Sequence, residues 1–86
     1  MMSSILLVDD DAALMDALSR ELDQLEYRTF LAQSADEALE VLRRNDIDVM
    51  VTDLRMRGKD GIELLRNSVE ISPATRTVLM SAYATA

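Results

Sequence analysis

The chain has 86 residues, enough for one small domain and too few for two. Almost half of it is hydrophobic, which excludes a disordered chain, and its aromatic residues are only Tyr27, Phe30 and Tyr83, so the core must be aliphatic. Nine basic against sixteen acidic residues give a net charge of −7, which disfavours direct contact with a nucleic-acid backbone; cysteine and histidine are both absent, which excludes disulfides, thiolate and imidazole metal sites and histidine-based catalytic triads.

Ile5 to Val8 is a short, unbroken apolar run, the pattern of a strand buried on both faces in a parallel sheet. No unbroken apolar run in the chain is longer. Ile5 to Val8 falls far short of a membrane span, and no basic segment precedes it as in a secretory signal, so a soluble, cytoplasmic protein without membrane contact is expected. After Asp9, Asp10 and Asp11, Ala12 to Glu26 carries Leu14, Ala17, Leu18, Leu22 and Leu25 at helical spacing, with Asp10 or Asp11 available as the N-cap.

Tyr27 to Ala32 has the composition of a strand. Ser34 and Glu37 form a capping box for a second helix, whose core face is Ala38, Leu39 and Leu42 and which ends near Arg43, Arg44 and Asn45. Ile47 to Thr52 is a third strand ending at Asp53. Leu54 to Gly61 is a loop that holds both glycines, which read as turn residues. Ile62 to Val69 is a third helix with Ile62, Leu65 and Val69 on one side, stopped by Ser72-Pro73, and Thr77 to Met80 is a fourth strand.

Strand and helix alternate three times before the last strand, which predicts an α/β fold with a parallel sheet. Ligands of such sheets bind beyond the carboxyl ends of the strands. Those ends carry Asp9, Asp10 and Asp11 after the first strand, Asp53 after the third and Ser81 after the fourth. Two carboxylates about 5 Å apart repel by roughly 3 kcal/mol at an effective dielectric near 20, so a converging set calls for a cation. Oxygen ligands alone select a hard ion, and Mg²⁺ fits because it needs only one or two carboxylates and keeps several waters. A carboxylate beside that cation is a nucleophile for phosphoryl transfer, and a hydroxyl such as Ser81 can bond a phosphate oxygen.

Three strings carry a family resemblance: Ile5-Leu6-Leu7-Val8-Asp9-Asp10-Asp11, Asp53-Leu54-Arg55-Met56 running on to Asp60-Gly61, and Leu79-Met80-Ser81-Ala82. In this order they resemble the first strand, phosphoacceptor loop and fourth strand of response-regulator receiver domains, over the whole of residues 1–86 as one domain. The resemblance implies the CheY-like, flavodoxin-like doubly wound (βα)₅ fold with strand order 2-1-3-4-5, here lacking its last third.

It also implies a two-component signalling module, not an enzyme in its own right, that takes a phosphoryl group from a histidine kinase, a phosphotransfer protein or a small acyl phosphate onto Asp53. Asp10, Asp53 and the backbone carbonyl of Arg55 would bind Mg²⁺, with Asp9 acting through a metal-bound water. Ser81 would contact the phosphoryl group and, with Ala82 and Tyr83, form the switch that controls an output domain or effector such as a transcription regulator.

Two departures stand out. Arg57 replaces the proline usual after the loop methionine, and the family's usual fifth-strand lysine has no counterpart before Ala86, since the only lysine is Lys59. The chain therefore reads as cut before the fifth strand. That leaves open a degenerate receiver serving only as an interaction module. An aspartate-nucleophile phosphohydrolase is a weaker alternative, because its general acid would stand where Arg55 does. An exposed fourth strand would also favour dimerisation through Thr77-Val78-Leu79-Met80.

Overall fold

The computed structural model describes residues 3–54 and 61–80. Four strands, β1 (Ser4–Val8), β2 (Arg28–Ala32), β3 (Val49–Asp53) and β4 (Arg76–Met80), alternate with three helices, α1 (Ala12–Gln24), α2 (Ala35–Arg44) and α3 (Gly61–Ile71). The strands form one wholly parallel sheet, as the alternation predicts, in the order β2-β1-β3-β4, as the resemblance implies. The central strand β1 is apolar on both faces, and Leu6, Leu7 and Val8 are all buried.

The main core lies between one face of the sheet and α2 with α3. Leu6, Val8, Ala32 and Met50 meet Ala38, Leu39, Leu42 and Leu64 there. The predicted core face of α2 is therefore observed, as is its Ser34 cap, whose hydroxyl accepts the Glu37 N–H at 3.1 Å. Ile47 lies just outside β3 but remains in this core, so the third strand begins two residues later than its composition predicts.

Two expected helix faces need correction. The stripe on α1 is largely open: Leu14 is 42 % exposed and Leu25 67 %, while Met15 is the residue buried. Among the described residues, α1 alone packs over its side of β1 and β2. In α3 the buried stripe is Gly61, Leu64 and Ser68, whereas Ile62 and Val69 are exposed. The physical reason is Gly61, which lets the start of α3 come against the backbone at the end of β3 and so turns the helix onto that side. Ser68 tolerates burial because its hydroxyl donates to the Leu65 carbonyl at 2.8 Å.

The first helix also ends two residues earlier than predicted. Tyr27 N–H donates to the Leu22 carbonyl and Glu26 N–H to that of Asp23, the paired bonds of a Schellman turn, with Glu26 in the left-handed region at φ 66°.

Candidate functional site

The site is built from the residues that leave the carboxyl ends of β1 and β3. Asp9 prolongs the ladder of β1, its N–H donating to the Ala32 carbonyl at 3.1 Å. The residue is only 9 % exposed, and its side chain accepts the Asp11 N–H at 2.9 Å. Asp11 is the N-cap of α1, its carboxylate taking the Leu14 N–H at 3.0 Å. Capping thus falls to Asp11, and Asp10 stands exposed between the two, committed to neither task.

Asp53 closes β3, half-buried and in register with Met80 of β4. It lies on the sheet face opposite to Met50 and Thr52, both fully buried toward α2 and α3. The backbone around it is held from both sides. Leu54 N–H donates to the Met80 carbonyl at 2.7 Å, and Gly61 N–H to the Leu54 carbonyl at 2.8 Å. A β-carbon on Gly61 would stand 2.6 Å from the Asp53 carbonyl oxygen. Sequence reading treats Gly61 as a turn residue; the structure makes it the first residue of α3 and the contact that sets α3 against the acceptor strand. The signal that could have found it is its place at the end of a loop that opens on a strand-terminal carboxylate.

Electrostatics joins the two strand ends. The Asp9 carboxyl is raised above its ordinary value of 3.8, first by burial and then by the negative charges of Asp53 and Asp10, against the lowering effect of the Asp11 N–H. The charges of Asp53, at the end of β3, and of Asp10 thus act on the Asp9 carboxyl across the ends of two neighbouring strands. A crevice lined by Asp10, Asp11, Gln33 and Ser34 opens beside it, between the carboxyl ends of β1 and β2.

Among the described residues no group of three or more acidic side chains is gathered as a ready metal cage. The donor set instead suits an ion that takes one or two carboxylates and fills its remaining positions with water and backbone oxygen. Mg²⁺ has that chemistry, and the repulsion that lifts Asp9 is what such an ion would relieve. Arg55, Ser81, Ala82 and Tyr83, predicted to supply a carbonyl ligand and the switch, lie outside the described residues, as does Lys59. A second cavity lies at the opposite end of the sheet, bounded by Arg28, Phe30, Arg44, Asp46 and Asp48, and takes no part in this site.

Comparison with known proteins agrees with this geometry. The profile of the response regulator receiver domain matches residues 5–86. The chain is 38% identical over 81 residues to the hydrogenase transcriptional regulatory protein HoxA of Cupriavidus necator, covering 94% of this chain and 17% of that protein. It is 31% identical over 83 residues to sporulation initiation phosphotransferase F of Bacillus subtilis, covering 96% of this chain and 67% of that one. Among solved structures it superposes with a TM-score of 0.88 on the response regulator TrrA of Thermotoga maritima, in complex with Mg²⁺-BeF, at 28% identity, covering 96% of this chain and 72% of that one. The chain spans less than a fifth of HoxA. With a parallel sheet in the order 2-1-3-4 and acidic residues at the carboxyl ends of β1 and β3, the chain belongs to the response regulator receiver domain family.

Proposed function

We propose that the chain is a phosphoacceptor whose Asp53 carboxylate takes a phosphoryl group, with a conformational change that controls an output. The observation that supports this reading is the match of the response regulator receiver profile to residues 5–86, with Asp9 and Asp53 at the carboxyl ends of two adjacent parallel strands. Of Asp9, Asp10 and Asp53, only Asp53 is on β3, and the backbone of its neighbour Leu54 is bonded to Met80 and Gly61, which supports a fixed place for the acceptor.

In the reaction an Asp53 oxygen attacks phosphorus and forms an acyl phosphate. The bond from phosphorus to the donor breaks, whether to an imidazole nitrogen of a histidine kinase or phosphotransfer protein or to the oxygen of a small acyl phosphate, and the electron pair leaves with the donor. Asp10, Asp53 and the Arg55 carbonyl would hold Mg²⁺, with Asp9 contributing through water; when bound, the ion neutralises charge on the transferred oxygens. Ser81 hydrogen-bonds the phosphoryl group and, with Ala82 and Tyr83, relays its arrival, as the family resemblance implies. The complex of TrrA with Mg²⁺-BeF supports this assignment of the ion.

The output is an effector or an attached domain. HoxA is a transcriptional regulator, which supports gene control as the regulated process. Nucleic acid is not contacted by this segment, whose charge is −7. No helix among the described residues is long and apolar enough to cross a membrane, in keeping with a cytoplasmic place of action. Catalysis is confined to the chain's own phosphorylation and dephosphorylation.

Intact-mass analysis after incubation with acetyl phosphate and Mg²⁺ tests this reading. The expected result is one added phosphoryl group, lost in Asp53→Asn and lost when Mg²⁺ is chelated. Labelling that persists in Asp53→Asn, or a chain that takes no label at all, overturns the assignment.

A further inference from the structure

Thr52 immediately precedes Asp53, and its side chain is fully buried. It shares the core face of β3 with Met50 and stands in register with Val8 of β1 and Leu79 of β4. Those three neighbours are apolar, and valine would fill the same space and suit a strand as well as threonine does. A hydroxyl in such a place has to find an acceptor close by. The bond it makes runs forward along the chain: Thr52 Oγ1 donates to the Asp53 carbonyl at 3.1 Å. Local bonds of this kind are ordinary for threonine. What distinguishes this one is the oxygen that it holds.

That oxygen belongs to the peptide unit between Asp53 and Leu54, and further contacts fix the same unit. Its N–H, on Leu54, donates to the Met80 carbonyl at 2.7 Å. Its oxygen lies so near Gly61 that a β-carbon there would stand 2.6 Å away. One peptide further on, the Leu54 carbonyl accepts the Gly61 N–H at 2.8 Å. Bonded at both ends and packed against the start of α3, the plane has little room to rotate. Its orientation sets the ψ angle of Asp53, and so the direction in which the Asp53 side chain leaves the strand.

We infer that Thr52 is a positioning residue for phosphoryl transfer: from the core side of the sheet its hydroxyl holds the Asp53–Leu54 peptide, and thereby the aim of the Asp53 carboxylate on the opposite side. The inference rests on the phosphoacceptor reading. Thr52 touches no reacting atom and acts through the backbone alone. A reacting group held less firmly spends less time in line with phosphorus, and the loss of one hydrogen bond corresponds to a rate change of about threefold to tenfold.

Three chains separate the hydroxyl from the volume it occupies: wild type, Thr52→Val, which keeps the shape, and Thr52→Ser, which keeps the hydroxyl. Each is labelled with acetyl phosphate over a range of concentrations at saturating Mg²⁺, where urea curves show it fully folded, and followed by intact mass. In Thr52→Val the maximal rate should fall about threefold to tenfold with the half-saturating acetyl phosphate concentration unchanged. Thr52→Ser should stay within about twofold of wild type, because the bond is kept. Amide hydrogen exchange followed by NMR gives a readout independent of the reaction. Relative to the Leu6 N–H of the central strand, the Leu54 N–H should exchange at least about threefold faster in Thr52→Val, and at the wild-type rate in Thr52→Ser. If Thr52→Val fails to fold, the pair Thr52→Ala and Thr52→Ser, which also differ by the hydroxyl alone, takes its place with the same expectations. Labelling of Thr52→Val at the full rate overturns the positioning role, as does equal slowing in Thr52→Ser, which would trace the effect to packing. Unchanged exchange at Leu54 overturns the hold on the peptide. Each of these leaves the phosphoacceptor reading intact, whereas a wild-type chain that takes no label overturns that reading and the inference with it.

Discussion

The Cα of Gly61 lies against the carbonyl group of Asp53, so close that any side chain at position 61 would collide with the backbone of the acceptor strand. A β-carbon there would stand 2.6 Å from the carbonyl oxygen and 2.9 Å from the Leu54 Cα, and neither is the movable end of a side chain. Gly61→Ala must therefore shift either α3 or the end of β3. The expected cost is about 1–3 kcal/mol, the range for forcing a methyl group into a filled site. Because the displaced backbone belongs to Asp53 itself, phosphoryl acceptance should fall beyond what the lost stability explains. Urea denaturation together with the rate of labelling by acetyl phosphate under fully folded conditions checks both parts; equal stability of the two chains would show that the contact is not rigid.

Glu26 stands at the position after α1 where the backbone turns left-handed, with φ 66°. A β-carbon makes that region unfavourable by about 1 kcal/mol or more, and glycine relieves it. The surrounding Schellman bonds, Tyr27 to Leu22 and Glu26 to Asp23, use backbone atoms only and survive the change. Glu26→Gly is therefore expected to stabilise the fold by about 0.5–1 kcal/mol, offset in part by the freer unfolded chain. A rise in the urea midpoint with an unchanged slope is the measurement; a fall would mean that the Glu26 side chain supplies more than the strain it causes.

The parallel sheet and the α2 core were legible in the sequence because unbroken apolar runs and a capping box are local signals that nothing distant overrides, while the strand order came from the family resemblance. The places of Asp9 and Asp53 were legible for a related reason, because topology alone sets the carboxyl ends of the neighbouring parallel strands β1 and β3 side by side. The face of α3 was not legible. Hydrophobicity points to Ile62, Leu65 and Val69, but the helix is placed by the absence of a side chain at Gly61, and a serine with a local acceptor can be buried as readily as a valine. The stripe on α1 is apolar by sequence yet open in space, since periodicity tells which residues share a face and not how much of it is covered.

Asp9 makes stability depend on pH in a definite direction. Burial and the charges of Asp53 and Asp10 raise its folded carboxyl above the unfolded value of 3.8. A group shifted that way contributes most to stability below the unfolded value, and the contribution is lost as pH rises through the folded value. At neutral pH the ionised Asp9 thus weighs against the fold. Asp9→Asn keeps an oxygen to accept the Asp11 N–H and removes the charge. The variant should be more stable than wild type at pH 7, and its advantage should shrink as the pH is lowered past the folded value. Saturating Mg²⁺ should narrow the same gap at pH 7 by stabilising the wild-type carboxylates. Denaturation curves at several pH values, with and without the ion, decide it; an advantage that grows on acidification would reverse the sign and remove the electrostatic account of the pocket.

Thr29 offers a contrast, a polar atom whose burial answers no functional need. Its hydroxyl is buried on β2 without a hydrogen-bond partner, on the sheet face that α1 covers. Leaving a buried hydroxyl unsatisfied costs about 1–3 kcal/mol, whereas a methyl group in its place loses nothing and gains apolar contact. Valine preserves the branched shape and suits a strand as well as threonine does. Thr29→Val should therefore stabilise the fold by about 1 kcal/mol, the low end of that range because the residue is only partly buried. Since Thr29 lies at the opposite end of β2 from the carboxylate pocket, the rate of labelling at Asp53 should not change. Thermal denaturation and the acetyl phosphate assay on the same preparation separate the two effects, and a loss of stability would show that the hydroxyl is satisfied in solution by water.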